Sequence, residues 1–101
     1  MRRAAKVDAN QREVVAALRG AGATVQLLHA VGAGCPDLLV GYRGANWLIE
    51  VKDGLKPPSK QTLTPDQEIW HRDWRGQSAV VNSPEAALAL IGAIELRGSI
   101  G

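Results

Sequence analysis

The sequence predicts a single small α/β domain in which helices flank a mixed β-sheet. Three observations lead to this prediction: short apolar runs typical of strands, helix starts marked by a capping residue and a proline, and a length of 101 residues. The elements follow in the order α-β-β-β-α-β-α. We expect one domain over 1–101, with a core at about 8–91, a basic arm at 1–7 and a tail at 92–101.

The first helix is predicted from Asp8 to about Arg19. Asp8 can cap it, and Gln11 three residues later completes a pattern like a capping box. Gly20 and Gly22 are expected to end the helix. Apolar side chains recur on one face at helical spacing: Val14, Val15, Ala17 and Leu18.

A strand is predicted over 24–31, and its apolar character favours a central place in the sheet. His29 within it is expected to be packed or exposed at an edge rather than to contact a ligand. Gly32 and Gly34 follow the strand. Glycine at these positions would let the backbone approach a phosphate or a neighbouring strand closely.

The next two strands, 38–42 and 46–51, form a predicted hairpin around a turn at 43–45. If the turn is centred between Arg43 and Gly44, Asp37 lies opposite Glu50. If it is centred one residue later, Asp37 lies opposite Lys52 instead. Glu50 and Lys52 share a face because side chains alternate along a strand, so both registers bring the three charged groups together.

Two adjacent carboxylates repel each other and raise each other's pKa unless a cation neutralises them. Mg²⁺ prefers oxygen ligands, and a lysine beside it can hold or deprotonate an attacking water. Asp37, Glu50 and Lys52 therefore suit metal-assisted hydrolysis of a phosphodiester. The alternative is a structural ion pair on a solvated sheet face. The apolar neighbours of the pair favour a functional site: Trp47, Leu48, Ile49 and Val51.

The second half of the chain begins with a surface loop over 53–62, rich in proline, glycine and lysine. Thr64 and Pro65 then start a helix that continues through Trp74. Gln67, Trp70, His71 and Trp74 share one face of it, and the tryptophans predict that this face packs on the sheet. A last strand over 77–82 precedes a helix that starts at Ser83-Pro84 and ends near Gly92.

The overall charge of +2 is mild, so any surface that binds nucleic acid must be a local one. The single cysteine, Cys35, excludes an internal disulfide and a cysteine-rich zinc site. It is expected to be a small packed thiol rather than a nucleophile. No apolar run approaches the length of a membrane span, and the first residues lack the apolar core of a signal peptide.

These residues resemble a known family. Pro36-Asp37 followed after about a dozen residues by Glu50-Val51-Lys52 is similar to the motif of the PD-(D/E)xK nuclease superfamily. The order Gly34-x-Pro36-Asp37-Leu38, then Glu50-Val51-Lys52, then a helix with Gln67, resembles its VRR-NUC branch, the virus-type replication-repair nucleases. The resemblance covers roughly 8–91 and implies a restriction-endonuclease-like core, of the stand-alone type found in phages and prophages.

The resemblance also implies the roles of individual residues. Asp37 and Glu50 would bind Mg²⁺ or Mn²⁺, helped by the main-chain carbonyl of Val51. Lys52 would position or activate the water, and Gln67 would orient the lysine or the water. Glu13 on the first helix would complete the metal site directly or through water, its alternative being an exposed helical glutamate.

The implied activity is that of a DNA endonuclease selective for branched DNA, similar to Holliday-junction resolvases, acting as a homodimer in phage replication or repair. The alternatives are a non-catalytic DNA-binding module and a general nuclease without junction preference. We expect a cytoplasmic protein without a membrane partner or small-molecule cofactor. The expected DNA contacts are Lys56, Lys60, Arg43, Arg2 and Arg3. For the loop lysines and the basic arm, simple solvation is the alternative.

Overall fold

A computed structural model describes residues 9–95 of the chain. The helices and strands in this range follow the predicted order: α1 (Ala9–Gly20), β1 (Thr24–Leu27), β2 (Leu38–Tyr42), β3 (Ala45–Val51), α2 (Pro65–Asp73), β4 (Ser78–Val81) and α3 (Pro84–Leu90). The predicted fold class, a small α/β domain with a mixed sheet, is confirmed. The expected capping role of Asp8 lies outside the described residues.

The sheet has the strand order β1-β2-β3-β4, with the first two pairs antiparallel and the last pair parallel. The prediction of a central first strand is wrong, because among the described strands β1 lies at an edge and pairs with β2 alone. It is also shorter than expected, since the chain turns after Leu27, where the N–H of Val31 donates to the carbonyl of Leu28 at 2.9 Å. Apolar composition did not distinguish an edge strand from a central one.

Helices α1 and α3 cover one face of the sheet, which we call the inner face. Leu38, Val40 and Ile49 point towards these helices and are fully buried. They pack with Val14 and Leu18 of α1 in one apolar cluster. Because side chains alternate along a strand, Asp37 and Glu50 belong to the opposite, outer face.

Helix α2 lies on the outer face and contains no buried residue. The prediction that its tryptophan face packs on the sheet is wrong for Trp74, which is 45% exposed. Trp74 lines a cavity of about 310 Å³ together with the outward-facing Leu39 and Leu48. The two tryptophans instead stack on each other, with ring centroids 4.7 Å apart.

The loop between β1 and β2 approaches the start of α2 at Gly34. This residue has a φ of +81°, and a Cβ atom there would collide with the main-chain carbonyl of Asp66. The expected close approach is therefore found, and the protein neighbour is a helix rather than a strand. The contact brings the amino-terminal turn of α2 next to Pro36 and Asp37. Within 9–95, no helix is long and apolar enough to cross a membrane.

Candidate active site

The hairpin between β2 and β3 determines which charged residues meet. Leu38 lies opposite Ile49, and Arg43 and Gly44 alone form the turn. Both turn residues have positive φ angles, +50° and +82°, as expected for a two-residue hairpin of type I′. The structure adopts the first of the two predicted registers, so one further step along the hairpin sets Asp37 beside Glu50.

Asp37 lies at the open end of this hairpin, where β2 begins and β3 ends. Its Oδ2 atom accepts a hydrogen bond from the main-chain N–H of Val51 at 2.8 Å. The carboxylate thus takes the place of a main-chain partner where the two strands diverge. This bond orients the rest of the carboxyl group towards Glu50.

Glu50 is the most unusual group of the site, because it is a carboxyl group only 3% exposed. Its Oε2 atom accepts a hydrogen bond from Gln67 Nε2 at 3.0 Å and lies 3.6 Å from Lys52 Nζ. The pKa of Glu50 is raised to about 7: burial is the largest cause and the charge of Asp37 adds to it, while the ammonium of Lys52 opposes the shift. Within the described range, its buried Oε1 atom has no hydrogen-bond partner.

Gln67 connects helix α2 to the two charged groups of β3. Its Oε1 atom accepts hydrogen bonds from Lys52 Nζ at 2.8 Å and from the N–H of Thr64 at 2.9 Å. The main-chain N–H of Gln67 donates to Thr64 Oγ1 at 3.3 Å, which completes a capping box at the helix start predicted at Thr64. One amide therefore caps the helix and holds both Lys52 and Glu50, so the position of α2 is tied to the site.

The main chain at Lys52 is held from two sides. Its N–H donates to the carbonyl of Val81 on β4 at 2.9 Å, and its carbonyl accepts from Asn10 Nδ2 on α1 at 2.7 Å. Asn10 is the contact that sequence reasoning missed. The only sequence signal was its place one turn before Glu13 on the same helix, since an uncharged amide matches no catalytic pattern.

Glu13 is exposed and lines a different cavity, of about 280 Å³, with Asn10, Leu55 and Asn82. No three His, Cys, Asp or Glu side chains in 9–95 form a group that could hold a metal ion. The structure therefore does not bring Glu13 together with Asp37 and Glu50 as ligands of one ion.

The residues expected to contact DNA lie in different places. Lys56 and Lys60 are exposed in the loop that follows Lys52, where the carbonyl of Lys56 accepts from Gln61 Nε2 at 2.7 Å. Arg43 lies over the ring of Tyr42 at the turn, which is the opposite end of β3 from Glu50 and roughly 20 Å away along the strand. Arg43 is thus too distant to belong to the site itself. Arg2 and Arg3 lie outside the described residues.

Two further side chains border the cluster. His71 follows Gln67 by one helical turn, and burial together with the charge of Lys52 lowers its pKa. Burial and the charges of Asp37 and Glu50 raise the pKa of the Cys35 thiol. A raised pKa disfavours the thiolate, which is consistent with the expected packed cysteine rather than a nucleophile.

The cluster fits a hard divalent cation. Two carboxyl groups lie side by side, one of them buried with an oxygen atom that no protein donor in the described range satisfies. Oxygen ligands of this kind are those that Mg²⁺ prefers, and a cation would stabilise both carboxylates in their charged forms.

Comparison with solved structures finds a chain described as "VRR_NUC domain". It shares 31% sequence identity with this chain and superposes with a TM-score of 0.59. The alignment covers 80% of this chain and 88% of the matched chain. No protein-family model and no curated protein matches the sequence.

Proposed function

Since the chain belongs to the VRR-NUC family and carries a nuclease domain, we propose that it is a metal-dependent endonuclease acting on DNA. One observation carries this proposal. Glu50 is buried beside Asp37, with Lys52 and Gln67 bonded to each other and arranged around its Oε2 atom. A buried carboxylate whose charge needs a bound cation to balance it lowers the stability of the fold, and such groups are typical of catalytic sites.

Asp37 and Glu50 would hold Mg²⁺ or Mn²⁺, together with the main-chain carbonyl of Val51. When bound, such an ion supplies Lewis acid stabilisation of the phosphate charge and makes a bound water a better nucleophile. The hydrogen bond from Val51 keeps one oxygen of Asp37 oriented. The unsatisfied Oε1 of Glu50 supports its assignment as a ligand.

Lys52 is proposed to position the attacking water as an ammonium or, in its neutral amine form, to take a proton from it. Its ammonium group is held at 2.8 Å by Gln67 and at 3.6 Å by Glu50, so it is oriented before a substrate arrives. Gln67 would then act as a positioning residue, because it reaches the reaction only through these two side chains. A role for Glu13 through a bridging water remains a prediction.

We propose branched DNA as the substrate and a two-fold dimer as the active form. Lys56 and Lys60 are the basic residues of the loop next to the site, with Arg43 distant and Arg2 and Arg3 outside the described range. One such set contacts few phosphates, and binding of this kind weakens steeply with salt. Two sets related by symmetry would double the contacts and match a four-way junction. A single domain over 1–101 and a cytoplasmic, phage-encoded setting also remain predictions.

The test is a cleavage assay on three DNAs of shared sequence: a four-way junction, a flap and a blunt duplex. Each is incubated with Mg²⁺, with Mn²⁺ or with EDTA, and light scattering on the same sample gives the oligomeric state. We expect cleavage only with a metal ion, preferentially of the junction, and none by Asp37→Asn. Cleavage in EDTA, or by the variant at the wild-type rate, would overturn the metal mechanism. A monomer that cuts all three DNAs equally would overturn junction selectivity and the dimer but leave a metal-dependent nuclease, and binding without cleavage would identify a DNA-binding module.

A further inference from the structure

The second half of α2, together with Trp74 that caps its end, presents an aromatic surface that the proposed catalytic chemistry does not use. The rings of Trp70 and Trp74 are stacked at an interplanar angle of 15°, and Trp74 is 45% exposed. Ile69 beside them is 50% exposed. Exposing these apolar side chains to water is unfavourable. Helix α2 has no buried residue whose burial would compensate for this exposure.

These side chains line a groove between α2 and the loop that precedes β2. The groove has a volume of about 350 Å³ and is lined by Ala33, Asp66, Ile69, Trp70, Asp73 and Trp74. This volume lies at the lower end of the range of sites that hold small molecules, about 300–1,000 Å³. It can accept a flat ring system, whereas a helix or a strand of another protein needs a longer surface.

The charges around the groove are compatible with a nucleotide. Asp73 at its rim is paired with Arg72, with a distance of 2.8 Å between Nε and Oδ1. Arg75 follows Trp74 directly, is exposed, and forms no ion pair with any residue of the described range. The groove itself is lined by two acidic side chains, Asp66 and Asp73, and by no basic one. A phosphate is therefore expected outside the groove, at Arg75 next to Trp74, while its base enters the groove.

The groove and the proposed active site are joined by one rigid element. Gln67, which is bonded to Glu50 and Lys52, lies seven residues before Trp74 in the sequence. Along a helix axis this separation corresponds to about 10 Å, or about three base steps of stacked DNA. A strand whose phosphate reaches Glu50 can thus have a nearby base at Trp74.

We propose that Trp74, backed by Trp70, is a stacking platform for one unpaired DNA base about three nucleotides from the cleaved phosphate. This inference rests on the proposed action on DNA and adds one feature of the substrate, an unpaired base, which a flap offers and a fully paired junction or duplex does not. Stacking on an aromatic ring accepts any base, because every base has an exposed π-face once it is unpaired. Bases within a continuous duplex offer no such face.

The test measures DNA binding in EDTA, so that neither cleavage nor a metal ion is required. The probes are a duplex with a single-stranded extension carrying the fluorescent base 2-aminopurine and a blunt duplex of the same sequence. We expect the wild-type protein to quench 2-aminopurine at one unpaired position. Trp74→Ala should remove that quenching and weaken binding of the extended DNA about 5- to 150-fold, with a much smaller effect on the blunt duplex.

Two matched variants separate ring stacking from general apolar contact. Trp74→Phe keeps an aromatic face and should retain most of the quenching, whereas Ile69→Ala removes apolar area from the same groove without touching the rings and should change little. Equal losses on both DNAs, or equal losses for Ile69→Ala and Trp74→Ala, would overturn the inference. Sedimentation showing that Trp74→Ala dissociates a dimer would also overturn it, since the groove would then be an interface. A protein that quenches the probe but never cleaves DNA supports the platform and overturns only catalysis.

Discussion

On the inner face of the sheet, Leu38, Val40 and Ile49 have no exposed surface and pack against two helices. On the outer face, the alternate residues of the same strands include Leu39, which is 37% exposed, and the buried charge of Glu50. Helix α2, which covers part of this outer face, buries none of its residues. The two faces differ in how their helices are attached: apolar side chains pack the helices onto the inner face, whereas a few hydrogen bonds attach α2 to the outer face.

The difference teaches where this fold can accommodate chemistry. A buried carboxyl group whose pKa is raised to about 7 opposes folding at neutral pH unless a cation arrives. Such a group is tolerated where the opposite face already supplies the apolar burial. Alternate residues of the same strands thus serve stability on the inner face and the proposed catalysis on the outer face. Variants on the inner face should lower stability, whereas variants on the outer face should lower activity.

The largest expected effect belongs to Lys52 on the outer face. Lys52→Ala should lower the cleavage rate about 10²- to 10⁴-fold, because it removes the group that positions or deprotonates the water. The melting temperature should change little, since the ammonium is not part of the apolar core. Lys56→Ala, which removes the same charge from the neighbouring loop, is the control and should weaken DNA binding instead. A Lys52→Ala rate within a few-fold of wild type would remove Lys52 from the mechanism.

The next largest effect is expected on the inner face, and it concerns the free energy of unfolding rather than the cleavage rate. Ile49→Ala should lower the free energy of unfolding by about 2–5 kcal/mol, because it leaves a cavity among fully buried side chains. Leu39→Ala on the outer face of β2 should cost about 1 kcal/mol or less. Urea titration of both variants measures these values. Equal losses of unfolding free energy in the two variants would contradict the proposal that the inner face supplies most of the stability.

Glu50 should make the stability of the metal-free protein depend on pH. Its pKa is raised from the ordinary 4.5 to about 7 in the folded state. The folded protein therefore holds a proton that the unfolded chain has released, and the stability from this group, fully present below about pH 4.5, is lost as the pH rises to about 7. The loss is on the order of 2–3 kcal/mol.

Glu50→Gln cannot ionise and should remove this part of the pH dependence, so the metal-free variant should be more stable than wild type at pH 7.5. Thermal melting in EDTA at a series of pH values from 4.5 to 8 provides the comparison. Asp37→Asn serves as the control and should remove only the part of the pH dependence that arises from repulsion between the Asp37 and Glu50 charges. A variant that melts at a much lower temperature than wild type at neutral pH would instead support a structural ion pair.

The smallest effect should arise where the inner-face helix α1 reaches the site. Asn10→Ala removes the hydrogen bond to the carbonyl of Lys52 and should cost about 1 kcal/mol of stability. It should also lower the cleavage rate modestly, because the chain carrying Lys52 loses one of its two supports. Glu13→Gln, one turn further along α1, is the matched control. If Glu13→Gln reduces metal-dependent cleavage more than Asn10→Ala does, then Glu13 acts through water as the family resemblance implies.

Much of this molecule follows from local sequence patterns. The apolar alternation of β2 and β3, the Thr64-Pro65 and Ser83-Pro84 helix starts, and the turn near Arg43-Gly44 each depend on residues close together in the chain. Such patterns predict the elements and bring Asp37 to the same end of the hairpin as Glu50 and Lys52. They left two registers open, because a shift of one residue in the turn satisfies the same alternation.

Tertiary structure alone decided the contacts between distant segments. The edge position of β1 depends on β4 taking the far side of β3, and the exposure of Trp74 depends on how α2 is seated against Gly34. Asn10 meets Lys52 only because α1 crosses the end of that strand. A side chain's neighbours across the fold are set by the packing of whole elements, and no local pattern records them. The sequence by itself determined the elements and the charged cluster, while packing determined which helix supports the cluster and which aromatic rings remain open to a ligand.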